Sequence, residues 1–205
     1  MRKLNDDIIL FDDYLSQDLY SELKEDLLKK QSQYVWAISK LQFGAGLSNP
    51  DADGSLLVSG LHGELRTKLL NEIAEKNNLV ITPEDEHLYA TTHYIGNPHS
   101  AIDWHRDYLY EWAISIYLTD DWKPEYGGMF EFVDEETKNT YTIAPKPNRA
   151  VEQFGDVVHR VTPVKPHSPV RYSIQVFKKI NSTNIENSQD LKNVKLARAR
   201  EDARK

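Results

Sequence analysis

Three short stretches of the chain bring together residue types able to do metal chemistry: His105-Arg106-Asp107, the histidine of Val157-Val158-His159-Arg160-Val161, and Arg171-Tyr172-Ser173. In an extended segment residues i and i+2 point to one face, so an imidazole at 105 and a carboxylate at 107 can grip the same cation. Taken alone that tripeptide is a weak signal, since a surface turn with an ion pair reads the same way. His159 follows Asp107 by 52 positions inside a β-type run, where a single histidine is most often a packed core or edge residue. Together the three offer two imidazoles and one carboxylate. That set suits Fe(II) with coordination positions left open for O2 and a chelating co-substrate, whereas a structural zinc fills four positions. Twelve residues beyond His159, the period of two puts Arg171, Ser173 and Gln175 on one face of a strand and Val170, Tyr172, Ile174 and Val176 on the other. A fixed guanidinium fork is well matched to a carboxylate; the plainer reading is an edge-strand salt bridge.

The elements that must position these residues fall into two groups. From Ser16 to Lys30 the apolar residues Leu19, Tyr20, Leu23, Leu27 and Leu28 follow helical spacing, with Ser16 as the expected N-cap. A second helix is expected from Glu64 to Asn77, with Leu65, Leu69, Leu70, Ile73 and Ala74 on one side. Between them, Phe43–Gly60 is rich in Gly, Asp and Ser and reads as a long loop, or a loop with short strands, placed to close over a substrate. From Leu79 onward the pattern is of short strands: Leu88–Tyr94, Trp112–Leu118, Gly128–Val133, Tyr141–Ile143, Ala150–Phe154, Val157–Val164 and Val170–Phe177. Gly96-Asn97-Pro98, Gly127-Gly128, Pro145-Lys146-Pro147 and Pro166-His167-Ser168-Pro169 punctuate them. Two helices followed by many strands predict a sandwich or barrel with helices buttressing one side.

Composition removes several alternatives. With 205 residues the chain suits one domain of ordinary size. The absence of cysteine excludes a disulfide scaffold, a thiolate zinc or iron–sulfur site and a thiol nucleophile, and agrees with a reducing, cytoplasmic setting. No segment approaches the roughly 20 apolar residues of a membrane span, and the N-terminus does not read as a signal peptide. The net charge is -7, and the basic tail from Thr183 carries +2 of its own, which leaves -9 on the body. A surface that acidic repels a phosphate backbone, so nucleic acid is an unfavoured partner. Trp104, Arg106, Tyr108, Tyr110, Glu111 and Trp112 surround the His-x-Asp pair and are candidates for a pocket rim; Arg106 is expected to point away from the metal. His62, His87, His93, His99 and His167 read as surface or turn residues.

His105-x-Asp107, His159-Arg160-Val161-Thr162-Pro163-Val164 and Arg171-x-Ser173 resemble the Fe(II)/2-oxoglutarate-dependent dioxygenase superfamily. The stretch Tyr117-Leu118-Thr119-Asp120-Asp121-Trp122-Lys123-Pro124-Glu125-Tyr126-Gly127-Gly128-Met129-Phe130 is similar to its prolyl-hydroxylase-like branch. The resemblance runs over about residues 85–179, and the segment Ile8–Ser16 is similar to the family's N-terminal opening. It implies a mainly β protein with flanking helices, a double-stranded β-helix or jelly roll buttressed by N-terminal helices. Residues 1–180 would form a single domain with its core at about 85–179, followed by a charged tail, 181–205, disordered or helical. By the same resemblance His105, Asp107 and His159 would ligate Fe(II), Arg171 would bind the distal carboxylate of 2-oxoglutarate with Ser173 in support, and Tyr94 would hydrogen-bond that co-substrate. Ascorbate would sustain full activity. Many prolyl 4-hydroxylases use a lysine where this chain has Arg171, a departure that bears on the substrate and leaves the cofactor chemistry intact.

The activity so implied is hydroxylation of an unactivated C–H of an amino acid, free or within a peptide or protein, with O2 consumed and succinate and CO2 released. Alternatives are an oxidative demethylase of nucleic acid or small molecules from the same superfamily, and a non-catalytic jelly-roll binding module. The expected partner is an amino-acid, peptide or small-molecule substrate, without nucleic acid or membrane. The sequence leaves the oligomeric state open.

Overall fold

The computed structural model describes residues 1–31, 37–38, 56–77, 79–82 and 84–180. The rest of the expected loop, 43–55, and the tail 181–205 lie outside the described residues. Two antiparallel sheets face each other. The larger holds β1 (Arg2–Lys3), β2 (Ile8–Phe11), β3 (Ala37–Ile38), β4 (Leu56–Gly60), β5 (Tyr89–Gly96), β7 (Tyr110–Tyr117), β10 (Ala150–Phe154) and β12 (Arg171–Lys179), in the order β1-β2-β10-β7-β12-β5-β4-β3. The smaller holds β6 (Ile102–His105), β8 (Phe130–Val133), β9 (Thr140–Ile143) and β11 (His159–Val161), in the order β6-β11-β8-β9. Two helices, α1 (Gln17–Gln31) and α2 (Gly63–Lys76), complete this jelly roll.

The period of two along β12 decides what lies on each side of the large sheet. Ile174 and Val176 join Ile95, Ile114 and Ile116 on the outer face, which packs under Leu19, Leu23 and Leu27 of α1 and Leu69, Leu70 and Ile73 of α2. Removing these side chains from water is what fixes the helices there, because short helices in isolation are marginal. The inner face carries Ile8, Leu10, Tyr117 and Val151 against Phe130, Phe132 and Ile143 of the small sheet, with Val157 beside them. At the end of this interior bearing Arg171 and Ser173 the lining turns polar. Asn148 ties the N-terminal segment to the barrel. Its side-chain oxygen accepts the Leu15 N–H and its amide donates to the Leu15 carbonyl, both at 2.8 Å.

Several elements differ from expectation. The apolar run Ile8–Phe11 is an edge-side strand, β2, paired with β10, and the end of the expected long loop is β4, paired along β5. β6 carries His105 and had no alternation to mark it. The expected strand Val157–Val164 shrinks to His159–Val161. Its pairing with β6 shifts register between 159 and 161, and Pro163 has no N–H to extend the ladder. Ser16 precedes α1, but its hydroxyl donates to Glu72 of α2 at 2.7 Å. His93 is not a surface residue: it is fully buried on β5, 3.8 Å from Asp26 of α1.

Candidate metal centre

β6 ends at His105, so Asp107 is presented by the loop that follows and not by the strand itself. A turn in which the Tyr110 N–H donates to the Asp107 carbonyl at 2.9 Å swings the carboxylate back towards His105. The pair singled out by i, i+2 reasoning is thus brought together by a different local geometry. His159 sits directly across from His105 in the β6–β11 pairing, and their rings lie 4.2 Å apart between centroids. One ligand atom from each of His105, Asp107 and His159 falls within 4.8 Å of the others.

Hydrogen bonds prepare both imidazoles for a cation. His105 Nδ1 lies 2.7 Å from the Asp103 carbonyl and His159 Nδ1 lies 2.9 Å from the Val157 carbonyl. A carbonyl only accepts, so each Nδ1 carries a proton, which makes Nε2 the binding atom of the neutral ring. Those Nε2 atoms face the two oxygens of Asp107, at 3.8 Å for His105 and 3.6 Å for His159. Burial, reinforced by the neighbouring His105, lowers the His159 pKa to about 4, with Asp107 opposing. The ring is therefore neutral and ready to bind at ordinary pH. Gln153 on β10 donates to Asp107 Oδ2 at 3.1 Å and fixes the carboxylate from the other side. Phe130 stacks on the His159 ring at 5.3 Å.

The polar end of the interior is built by one row of the large sheet. Tyr94 on β5, Ser173 on β12 and Tyr117 on β7 are cross-strand partners and share the inner face. Arg171 is one step along β12, buried, with its guanidinium 5.0 Å from the centre of the Tyr117 ring. Among the described residues, Arg171 Nε, Ser173 Oγ and Tyr117 Oη are all buried with no acceptor to donate to. Buried polar atoms normally find partners, so three adjacent donors without an acceptor describe a cradle for an anion. Burial raises the pKa of both Tyr94 and Tyr117, the latter opposed by Arg171, and keeps both phenols protonated as donors. The close approach of β8 explains the glycine pair. At Gly128 (φ +62°) a Cβ would stand 2.9 Å from Arg171 Cδ and 3.1 Å from the Trp122 ring. Trp122 in turn donates its indole N–H to the Gly127 carbonyl at 2.9 Å.

The structure thus gathers His105, Asp107 and His159 at one place, and Arg171, Ser173 and Tyr94 on the inner face of the large sheet. Two further residues were not singled out by sequence reasoning. Tyr117 lies in Trp112–Leu118, a strand buried on both faces that gives no alternation to read. Gln153 follows Glu152 in an otherwise apolar strand, and that polar pair was the available signal. Of the expected rim, Trp112 lies on the helix side, donating to Glu152 at 2.7 Å. Trp104 lies beneath the Arg160 guanidinium at 4.6 Å. Tyr110 packs on Phe177 with ring centroids 4.6 Å apart.

The donor set and the cradle can be set beside known proteins. Residues 89–179 match the family described as the 2OG-Fe(II) oxygenase superfamily. A search of curated proteins gave no match. Among solved structures, a prolyl hydroxylase from Trichoplax adhaerens in complex with a hypoxia inducible factor oxygen degradation domain peptide fragment superposes with a TM-score of 0.70. The identity is 12%, over 94% of this chain and 88% of that one. A Pseudomonas putida prolyl-4-hydroxylase gives 0.67 at 13% identity, covering 85% and 93%. The viral collagen prolyl hydroxylase of Paramecium Bursaria Chlorella virus-1, in its 2OG complex, gives 0.56 at 16% identity, covering 85% and 96%. At these identities the likeness is one of fold.

Proposed function

We propose, from the match of residues 89–179 to the 2OG-Fe(II) oxygenase superfamily, that His105, Asp107 and His159 hold the Fe(II) of a 2-oxoglutarate-dependent dioxygenase. The reaction we assign is hydroxylation of an unactivated C–H on an amino acid, free or within a peptide or protein. One observation carries the cofactor reading: among the described residues the buried donors Arg171 Nε, Ser173 Oγ and Tyr117 Oη find no acceptor, on an inner face shared with Tyr94. Their chemistry fits the distal carboxylate of 2-oxoglutarate, and two imidazoles with one carboxylate fit Fe(II). Support for an amino-acid substrate comes from the fold likeness to proteins named as prolyl hydroxylases.

Held by His105, Asp107 and His159, Fe(II) would supply the oxidising chemistry, with O2 and 2-oxoglutarate consumed and succinate and CO2 released. The chain's own contribution is placement. The Asp103 and Val157 carbonyls hold the imidazole tautomers, and Gln153 holds the Asp107 carboxylate. Arg171, with the Ser173 and Tyr117 hydroxyls, anchors the co-substrate carboxylate at a fixed depth. Tyr94, kept protonated by burial, donates beside it. Phe130 and Phe132 exclude water from the side of the small sheet.

The test is anaerobic addition of Fe(II) and 2-oxoglutarate to the purified chain, followed by its visible charge-transfer absorption. The band should appear in the wild type and be lost in His105→Ala. Aerobic succinate release against amino-acid and proline-peptide panels, with ascorbate present, then tests the substrate class. A wild-type protein without the band sinks the cofactor reading. A band without turnover stimulated by any amino acid or peptide sinks the substrate reading alone.

A further inference from the structure

Arg106 stands between two of the proposed ligands, yet its side chain leaves the centre. Nη1 donates to the backbone carbonyl of Asp156 and lies 3.3 Å from Asp156 Oδ2, while Nη2 contacts the Glu135 carboxylate. Asp156 immediately precedes Val157, whose carbonyl fixes the His159 ring. Glu135 belongs to the turn between β8 and β9, and the end of β8 that leads into it is bound to the same approach through Val133 N–H donating to the Val158 carbonyl at 2.9 Å. The Arg106 guanidinium therefore spans three pieces of chain: the loop bearing His105 and Asp107, the approach to β11 that orients His159, and the β8–β9 turn.

The backbone leaves this connection to be made. Pairing of β6 with β11 reaches His105 at its end and slips between His159 and Val161. Asp107 lies beyond the ladder, held by its own turn and by Gln153 on β10. A flexible loop carrying one ligand makes the cation pay for ordering that loop when it binds. A planar guanidinium with two forked arms is suited to fixing such a loop in advance.

We infer that Arg106 is a positioning residue of the metal centre, holding the ligand loop in register with His159 before the cation arrives. This rests on the reading of His105, Asp107 and His159 as metal ligands. Contacts that orient ligands in this indirect way alter metal affinity by about 10–100-fold when removed. The ion pairs themselves are partly exposed, so their direct contribution to folding is small.

Co(II) is the probe, titrated into the full chain under calorimetry and d–d absorption, with thermal unfolding of the metal-free protein measured in parallel. Arg106→Ala should raise the Co(II) dissociation constant about 10–100-fold while moving the metal-free Tm by less than about 3 °C. Arg106→Lys should recover part of the affinity, because an ammonium keeps the charge but does not span both carboxylates. Glu135→Gln trims one arm and should cost less than Arg106→Ala. If Arg106→Ala fails to fold, the other two variants carry the test, each with a smaller loss of affinity at unchanged Tm. Co(II) binding by the variants within about threefold of the wild type, or affinity losses that merely track losses in metal-free Tm, would overturn the role of Arg106. A wild-type chain that binds no Co(II) would instead overturn the metal centre itself.

Discussion

Replacing Arg171 with methionine separates a binding role from a structural one by the sign of two effects. Arg171 is only 4% exposed, and among the described residues no carboxylate forms an ion pair with it. Burying an unpaired ion costs several kcal/mol. The Tyr117 ring at 5.0 Å returns about 2 kcal/mol of that. An unbranched apolar side chain of similar length therefore leaves the ligand-free protein as stable as before, or raises its Tm by several degrees at about 2–4 °C per kcal/mol. The effect on 2-oxoglutarate runs the other way. At a hundred times its dissociation constant a ligand adds about 2.7 kcal/mol of stability, a rise of about 5–11 °C for this size of domain. Removing the cation from a buried carboxylate costs about 2–5 kcal/mol of binding, enough to erase that rise. The assay is anaerobic thermal unfolding with Mn(II) in place of iron, with and without 2-oxoglutarate. An Arg171→Met protein that is less stable by more than about 2 kcal/mol without ligand, and still gains the full shift with it, would refute the reasoning.

Two further outcomes follow from the same structure. Gly128→Ala places a Cβ 2.9 Å from Arg171 Cδ at a φ of +62°. It should cost about 1–3 kcal/mol of stability and weaken 2-oxoglutarate about tenfold as the Arg171 side chain gives way. Chemical denaturation and ligand-induced Tm shifts check the two parts, and unchanged 2-oxoglutarate binding would contradict the clearance argument. On pH, burial lowers the His93 pKa from 6.5 to about 4, with Asp26 opposing and Lys30 assisting. The unfolded chain binds that proton more tightly, so stability is complete above pH 6.5 and falls as pH drops from there towards 4, by about 3 kcal/mol in all. Denaturant unfolding across that range should lose this share of its slope in His93→Leu, and an unchanged slope would exclude His93 as its source.

What the sequence revealed of the fold tracks the strength of its periodicities. α1 and α2 lie within a residue or two of expectation because their apolar residues recur at helical spacing over three to four turns. β12 announced both faces, since Arg171, Ser173 and Gln175 alternate with Val170, Tyr172, Ile174 and Val176. β6 is four residues long with Asp103 and Trp104 in its middle, and β4 occupies the end of a Gly- and Ser-rich stretch. Their partners, β11 and β5, define them, and pairing across so many residues leaves no local mark. His93 was misread for a related reason. Its neighbours Thr91 and Thr92 are polar, so the strand does not look buried from the sequence, although α1 covers it.

The site shows the same division more sharply. Residue types and order singled out His105, Asp107 and His159, which the structure brings together, and Arg171, because a requirement for two imidazoles, a carboxylate and a guanidinium is chemical and survives in one dimension. What makes them a site is not one-dimensional. The Nε2 atoms are available because the Asp103 and Val157 carbonyls hold the opposite nitrogens. The Asp107 carboxylate faces them because Gln153, 46 positions away, donates to it. The Arg171 cradle gains Tyr117 only through the β7–β12 register, in which Tyr117 falls opposite Ser173; a slip of one residue would bring Ile116 there and turn the phenol towards the helices. Arg106 is the instructive case. Alternation along an extended segment points it away from the proposed ligands, and the side chain does leave them, although the strand ends at His105. Its reach to Asp156 and Glu135 gives it a different task, acting on the centre through the backbone that carries the third ligand.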